Sequence, residues 1–322
     1  MIDRFGEPAE VVHAGERLLP TPGPGEVRVR MRLSPIHNHD LAIVRGVYGY
    51  RPALPAVPGT EAVGTVDALG DGVQDLKQGQ RVATAAAQSA WADYFLSPAA
   101  KLVPVPDALS DEAACQLLAM PLSALMLLED MKLQSGQWIV QDAANGAVGK
   151  VLATLAAARG IGVVNLVRRE AALADLAAAG IANGVATDTP GWQERAKAAA
   201  GGTPIVRAID SIGGEAAGQV LSLLAENGEL ISFGSLTFKP LVINGGDLIF
   251  KQAVVRGFWG SKRLAATAPT ELARMIGELA RQVASGALKL PVGGVFGLAD
   301  AAAAMTAAEQ TGRAGKILLK GA

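Results

Sequence analysis

Apolar and polar residues alternate through Glu26–Leu33 (EVRVRMRL), directly after the turn-rich PTPGPG, and this two-residue period predicts a half-buried β-strand. EAVGTVDALG, RVATAAA and WADYFLS repeat the signal at short spacing, separated by pieces such as DGVQDLKQGQ. The first hundred residues therefore read as a compact barrel or sandwich of short strands. The pattern changes at SDEAACQLLAMPLSALMLLEDM, which predicts a helix capped by Ser110. From Trp138 onward, short apolar runs (QWIVQD, GVVNLV, VRAID, GELISFG) alternate with helical periodicity (KVLATLAAARG, and EAAGQVLSLLAENG closed by Gly228). Parallel strands buried on both faces, with their crossover helices, produce this pattern. After VVRGFWG come one helix (PTELARMIGELARQVASG), a short apolar strand, an alanine helix and the terminal KILLK, a tail expected to complete the first domain. The expected fold class is α/β. A β-rich domain would span 1–112 and 261–322, and a doubly wound parallel-sheet domain 113–260.

Composition narrows the function. A chain of 322 residues, half of them hydrophobic, is long enough for two domains with real cores. With 29 basic and 30 acidic residues the formal net charge is -1, so no nucleic-acid or membrane partner is expected on electrostatic grounds. The single cysteine, Cys115, excludes an internal disulfide and a thiolate-rich zinc site, and fits a reducing compartment. The start, MIDRFGEPAEVV, lacks a basic segment followed by an apolar core, and no uninterrupted apolar run approaches a membrane span. The expectation is a soluble, cytoplasmic protein.

Ala144-Asn145-Gly146-Ala147-Val148-Gly149 is an [A/G]-x-G-x-x-G turn between a predicted strand and a predicted helix. In that setting Gly146 lets the backbone approach a pyrophosphate, Gly149 lets helix and strand pack closely, and the helix N-terminus supplies donors. A tight β-α turn with no ligand is the plain alternative. About twenty residues past such a turn, NAD-binding units place an acid on the ribose hydroxyls. Here the strand ends Leu166-Val167-Arg168-Arg169. A guanidinium cannot accept from a 2′-hydroxyl but pairs well with a 2′-phosphate, so the expected cofactor is NADPH. Solvated arginines, or Glu170 serving an NAD ribose, are the competing readings.

With these residues in view, the whole chain resembles the medium-chain dehydrogenase/reductase superfamily, a GroES-like β domain with an inserted Rossmann domain. It is most similar to the zinc-free trans-2-enoyl thioester reductases of the mitochondrial type, then to the quinone oxidoreductases. SPIHNHDLAIVRGVYGYRPALPAVPGTEAVG, QDAANGAVG, NLVRR, DSIGGEAAGQVLSLLAENGELISFGS and DLIFKQAVVRGFWGS carry the resemblance, the last with its Phe-Trp pair most of all. The Asn that enoyl reductases have before the proline of PLSAL is Met120 here. The zinc enzymes of the superfamily hold their metal with a Cys, a His and a third Cys or Asp. His37 falls where the first Cys would be, Thr60 replaces the His before Glu61, and the third position reads Met120-Pro121-Leu122. His37-x-His39 lacks a clear third ligand, His13 is assigned nothing, and no metal is expected.

The resemblance implies site residues. Tyr48 stands at the place of the proton-donating tyrosine. A phenol stays protonated at neutral pH and can hydrogen-bond an enolate or protonate the α-carbon after hydride has added to the β-carbon. Asn145, Gly146, Ala147 and Val148 would lie along the pyrophosphate, Arg168 and Arg169 on the 2′-phosphate. Phe233, Gly234, Ser235 and Leu236 would sit by the nicotinamide half, with Phe258 and Trp259 flanking the ring. Ser123 aligns with a hydroxyl residue near the nicotinamide amide, and Lys316 with a late basic position that can approach the cofactor. Tyr48 packing under a loop, the aromatic pair as plain core and Lys316 at the surface are the structural alternatives. The implied activity is NADPH-dependent reduction of the C2=C3 bond of 2-enoyl thioesters of coenzyme A or acyl carrier protein. An NADPH:quinone or enone reductase is the alternative, then a non-catalytic NADPH-binding protein. The resemblance also implies a homodimer formed by edge-to-edge cofactor domains, with LISFG a candidate seam.

Overall fold

The computed structural model describes residues 1–322. Thirteen strands follow one another along the chain. They are β1 (Glu26–Pro35), β2 (Ala62–Leu69), β3 (Arg81–Thr84), β4 (Tyr94–Pro98), β5 (Val103–Pro104), β6 (Trp138–Gln141) and β7 (Gly162–Val167), then β8 (Gly184–Ala186), β9 (Ile205–Asp210), β10 (Glu229–Ser232), β11 (Val254–Gly257), β12 (Val292–Gly297) and β13 (Lys316–Lys320). The chain divides into one unit of Met1–Met120 with Glu278–Ala322 and a second of Pro121–Gly277.

In the first unit, the alternation read in β1 is realised: Val27, Val29, Met31 and Leu33 are buried, and the arginines between them are not. The sheet order is β12-β13-β1-β2-β3-β5, with β4 also paired to β1. The C-terminal tail returns to this unit because β13 pairs antiparallel with β1, Leu33 opposite Lys320. Val27, Val29, Met31, Val66, Val82 and Phe95 form one core. A second core joins Ile36, Leu41, Val44, Met305 and Leu319 beneath the helices Asn38–Arg45 and Ala301–Glu309.

The helix expected from Ser110 forms only in part. Ser110 Oγ does accept from the Ala113 amide at 3.3 Å, but the helix stops at Ala114 and a new one begins at Met120. The break has a physical cause. The amides of Leu118 and Ala119 donate to Glu61 Oε1 at 2.6 and 2.8 Å, so they are taken out of the helical ladder.

The second unit is a six-stranded parallel sheet in the order β11-β10-β9-β6-β7-β8. The chain runs outward from β6 through β7 and β8, then resumes at β9 on the other side, so the topological switch point lies between β6 and β9. Ligands of doubly wound sheets bind beyond the carboxyl ends of the strands at such a point. Of the two edge strands, β8 escapes the apolar-run signal because it is only three residues long, and β11 has a single neighbour in β10. The helix over EAAGQVLS ends at Ser222, well before Gly228. The left-handed turn residue is Asn227, with φ 60°, and the Gly228 amide closes the turn on Ala225 O. LISFG cannot be a seam between copies: β10 is hydrogen-bonded by β9 on one side and β11 on the other, so the open edges are β11 and β8.

Gly149 sets the distance between the helix Ala147–Ala158 and β6. A Cβ there would lie 2.6 Å from the Ala144 carbonyl oxygen, closer than packing allows. Gln141 reinforces this contact by donating from Nε2 to Gly149 O at 2.8 Å and to Asn165 Oδ1 of β7 at 2.7 Å, both buried.

Candidate functional site

Asp142 and Ala143 separate β6 from the glycine turn, which begins at Ala144. Ala143 takes a left-handed backbone, φ 45°, which costs a non-glycine residue about 1–2 kcal/mol and therefore needs support. The support comes from the turn and from β7: Gly146 donates to Ala143 O at 2.8 Å, and Ala144 to Leu166 O of β7 at 3.1 Å. Gly146 is the N-cap of the helix Ala147–Ala158, and Gly146 and Ala147 are exposed. First-turn amides of a helix lack intrahelical acceptors, which suits them to an anionic ligand. A Cβ on Gly146 would meet only Ala143 O, at 3.1 Å. Asn145 donates from Nδ2 to Asp175 Oδ2 at 2.9 Å, while its buried Oδ1 has no partner within the chain. An unmet buried acceptor beside exposed helix-start amides fits the hydroxyl and phosphate groups of a dinucleotide.

The remaining expected cofactor residues of this unit lie past the ends of neighbouring strands. Arg168 and Arg169 follow β7 and are exposed, as is Glu170. Phe233, Gly234, Ser235 and Leu236 follow β10. The Phe233 and Gly234 amides donate to Asp210 O at 2.8 and 3.2 Å, and Leu236 is half exposed. Phe258 and Trp259 follow β11 and differ in role. Phe258 is buried and stacks on Phe233 with ring centroids 5.8 Å apart, whereas Trp259 is 52% exposed. Ser123 lies beside the next residue, since a Cβ on Gly260 would come within 2.9 Å of its Oγ.

Two expected residues, Tyr48 and Lys316, belong to the first unit. Tyr48 follows the helix Asn38–Arg45 after Gly46, whose φ of 71° ends the helix in the left-handed conformation. Its half-buried ring lies 5.9 Å from that of His39. His39 Nε2 is 2.7 Å from Thr60 Oγ1, and Thr60 donates to Asp40 Oδ1 at 2.8 Å. Since Thr60 gives its proton to Asp40, it accepts from His39, which places the imidazole hydrogen on Nε2. Burial holds the His39 pKa below its ordinary value, against the pull of Asp40, so the ring is neutral at neutral pH. Lys316 is not a free surface lysine. Its Nζ donates to Ile36 O at 3.3 Å, and burial, with Arg313 assisting, lowers its pKa to about 8.

Sequence reasoning missed Glu61 as the centre of this polar cluster. It is fully buried, with Oε1 held by the Leu118 and Ala119 amides and Oε2 2.7 Å from His37 Nε2. Burial raises its pKa to about 8, although the two amides and Lys316 oppose the shift. A glutamate following Thr60 in an otherwise apolar strand entry was the available signal. His37, also fully buried, is held well below its ordinary pKa by burial and by Lys316.

Comparison with known proteins follows the same division. The family of alcohol dehydrogenase GroES-like domains matches residues 23–107, and that of zinc-binding dehydrogenases matches residues 147–280. The mitochondrial enoyl-acyl-carrier-protein reductase of Bos taurus is 31% identical over 311 residues, covering 95% of this chain and 83% of that protein. Its counterpart in Arabidopsis thaliana is 33% identical over 271 residues, covering 82% and 72%. Among solved structures, Escherichia coli quinone oxidoreductase complexed with NADPH superposes with a TM-score of 0.90 at 28% identity, covering 99% of this chain and 98% of that one.

The second family's description names zinc, and the donor set does not fit it. Cys115 is buried, donates to Glu112 O at 3.4 Å, and is kept a thiol by burial, which pushes its pKa well above the ordinary range. The His37 and His39 rings stack at 5.0 Å instead of converging, and both Glu61 oxygens are already engaged. No group of three His, Cys, Asp or Glu side chains is arranged to hold a metal ion.

The Glu61 proton has a measurable consequence. Its folded pKa of about 8 lies above the ordinary 4.5, so folding binds a proton that the unfolded chain has released. Its contribution to stability is complete below the unfolded value and is lost as pH rises through about 8. Lys316, lowered from 10.5 to about 8, contributes above its unfolded value and loses that contribution as pH falls through about 8. Urea unfolding should show wild type losing stability relative to Glu61→Gln between pH 4.5 and about 8. Parallel pH profiles for the two proteins would contradict the assignment.

Proposed function

The chain belongs to the medium-chain dehydrogenase/reductase superfamily, and from that premise we propose that it is an NADPH-dependent oxidoreductase that reduces the C2=C3 bond of 2-enoyl thioesters. The observation that carries the substrate is the extended likeness to enoyl-acyl-carrier-protein reductases, at 31% to 33% identity over most of both chains. The cofactor reading is supported by the exposed Arg168 and Arg169 at the end of the strand next to the glycine turn. An acceptor-free guanidinium there suits a 2′-phosphate, and the quinone oxidoreductase that superposes on this chain holds NADPH.

NADPH supplies the hydride that adds to C3 of the enoyl group. The residues of the chain do the rest. The amides of Asn145–Val148 hold the pyrophosphate at the helix start, and Arg168 and Arg169 take the 2′-phosphate. Phe233, Gly234, Ser235 and Leu236 border the nicotinamide half, with Phe258 packed beneath Phe233 and Trp259 presenting its exposed ring. Tyr48 donates a hydrogen bond to the thioester oxygen as charge develops there, or a proton to the α-carbon. A neutral His39 beside it keeps a second positive charge away from that phenol. Lys316 stays with Glu61 and Asp40 in the first unit, where it sets the electrostatics of the His37–Glu61 cluster.

The same fold and hydride donor serve a quinone or enone reductase, a reading favoured by the close superposition on Escherichia coli quinone oxidoreductase. A non-catalytic NADPH-binding protein would keep the glycine turn but show no turnover. No helix is long and apolar enough to cross a membrane. A homodimer through β11 is the assembly we favour, because Val254 of that open edge is exposed together with Val242, Ile249 and Phe250.

Replacing Arg168 and Arg169 together by alanine should raise the dissociation constant for NADPH by about tenfold or more while leaving NADH nearly unchanged. Equal losses for both cofactors would remove the arginines from the phosphate. With NADPH as donor, purified protein should turn over crotonyl-CoA faster than a simple quinone, and Tyr48→Phe should slow the thioester reaction by about 100-fold with cofactor affinity unchanged. A fully active Phe variant would take Tyr48 out of the chemistry. Light scattering should report twice the chain mass of 32.9 kDa, and a monomer would refute the edge-to-edge pairing.

A further inference from the structure

Two buried aspartates close the switch point of the second unit. Asp142 is the first residue after β6 and Asp210 the last of β9, and the two strands are neighbours with Gln141 opposite Ile209. Asp142 is 5% exposed and Asp210 not at all. One oxygen of each is fixed by the backbone. Asp142 Oδ1 accepts from the Ser211 amide at 2.7 Å, and Asp210 Oδ1 from the amides of Ile212 and Gly213 at 3.1 and 2.9 Å. The other oxygen of each, Oδ2, is buried and has no N–H or O–H donor.

Two ionised carboxylates facing one another without water or a cation would be strongly unfavourable. A single proton removes the conflict: the Asp142 and Asp210 side chains are within hydrogen-bonding reach of one another, and a protonated Asp142 supplies the donor that this contact otherwise lacks. Burial and the neighbouring Asp210 both push the Asp142 pKa well upward, against a smaller pull from the Ser211 amide. Other charged groups near these elements are Lys150 on the helix after the turn, Asp175 bonded to Asn145, the exposed Arg168 and Arg169 past β7, Glu215 at the start of the helix after β9, and Lys239, which packs on Gly213 and Gly214. Past β10, the segment Phe233–Leu236 carries no charge.

The pair also joins three loops. Asp142 leads directly into the left-handed Ala143 and the glycine turn, and through Oδ1 it holds Ser211 of the loop after β9. Asp210 in turn receives the Phe233 and Gly234 amides of the loop after β10 on its carbonyl. Gly234 packs so closely that a Cβ would lie 2.9 Å from Ser211 O.

We propose that Asp142 and Asp210 are positioning residues that share one proton, and that this proton sets the spacing of the strand-end loops that hold NADPH. The proposal rests on the cofactor reading given above. Loss of the proton puts like charges at the base of the glycine turn and splays the loops, so NADPH affinity falls as pH rises. The expectation for wild type is a loss of about tenfold in NADPH affinity from neutral to alkaline pH.

Asp142→Asn keeps the shape and replaces the titrating hydroxyl by an amide that donates to Asp210 at every pH. Asp210→Asn does the same from the other side. NADPH dissociation constants, read by cofactor fluorescence from neutral to alkaline pH, should rise for wild type and stay level for either variant, after the cofactor's own phosphate titration is subtracted. Superimposable profiles for wild type and both variants would overturn the proposal. Infrared difference spectra supply a check that needs neither cofactor nor variant stability. Folded wild type at neutral pH should show a protonated-carboxyl C=O band from ¹³C-labelled aspartate that disappears on raising the pH, and absence of the band would overturn the shared proton. No NADPH binding by wild type at any pH would instead refute the cofactor reading itself, leaving the infrared result to decide the pair.

Discussion

A parallel sheet ends in loops whose amides have lost the next strand as a partner, and where the winding reverses no crossover covers them. The second unit meets that constraint with buried carboxylates. Asp142 takes the Ser211 amide, Asp210 takes those of Ile212 and Gly213, and the backbone carbonyl of Asp210 takes two more from Phe233 and Gly234. The left-handed Ala143 and the helix start at Gly146 depend on this scaffold for their position. The place where a dinucleotide would lie is thus built from backbone groups held by acids, with few side chains offered directly.

The first unit solves a similar problem in the same currency. Leu118 and Ala119 would continue a helix from Ser110, but Glu61 takes their amides and turns the chain. The acid is fully buried, so the turn is obtained at the cost of desolvating a carboxyl, and its raised pKa of about 8 records that cost. His37, Lys316 and the Asp40–Thr60–His39 chain are arranged around it. Protonation and backbone geometry are therefore coupled in both units, by different residues.

Much of this could be read in the sequence because its signals are local. The alternation of β1, the apolar runs of β6, β7, β9 and β10, and the strand–glycine–helix turn each announce themselves within about ten residues. What was hidden depends on partners distant in the chain. The helix break after Ala114 needs a glutamate over fifty residues earlier, and the three-residue β8 has no period to detect. Asn227 taking the turn expected of Gly228 is a local competition that composition does not decide. At the candidate site, the glycine turn and the arginines after β7 were legible from the strand–turn–helix pattern, while the residues after β10 and β11 were named only through the family resemblance. The partners of Glu61, the pairing of Asp142 with Asp210 and the lowered pKa of Lys316 were not legible, because burial and charge proximity arise only once the sheets have formed.

The one sulfhydryl of the chain illustrates how a buried side chain can bear on chemical durability. Electrophiles such as conjugated carbonyl compounds attack thiolates in preference to thiols. Cys115 is shielded from solvent, and its raised pKa keeps it in the unreactive protonated form. The chain therefore offers no exposed thiolate to alkylating or oxidising agents.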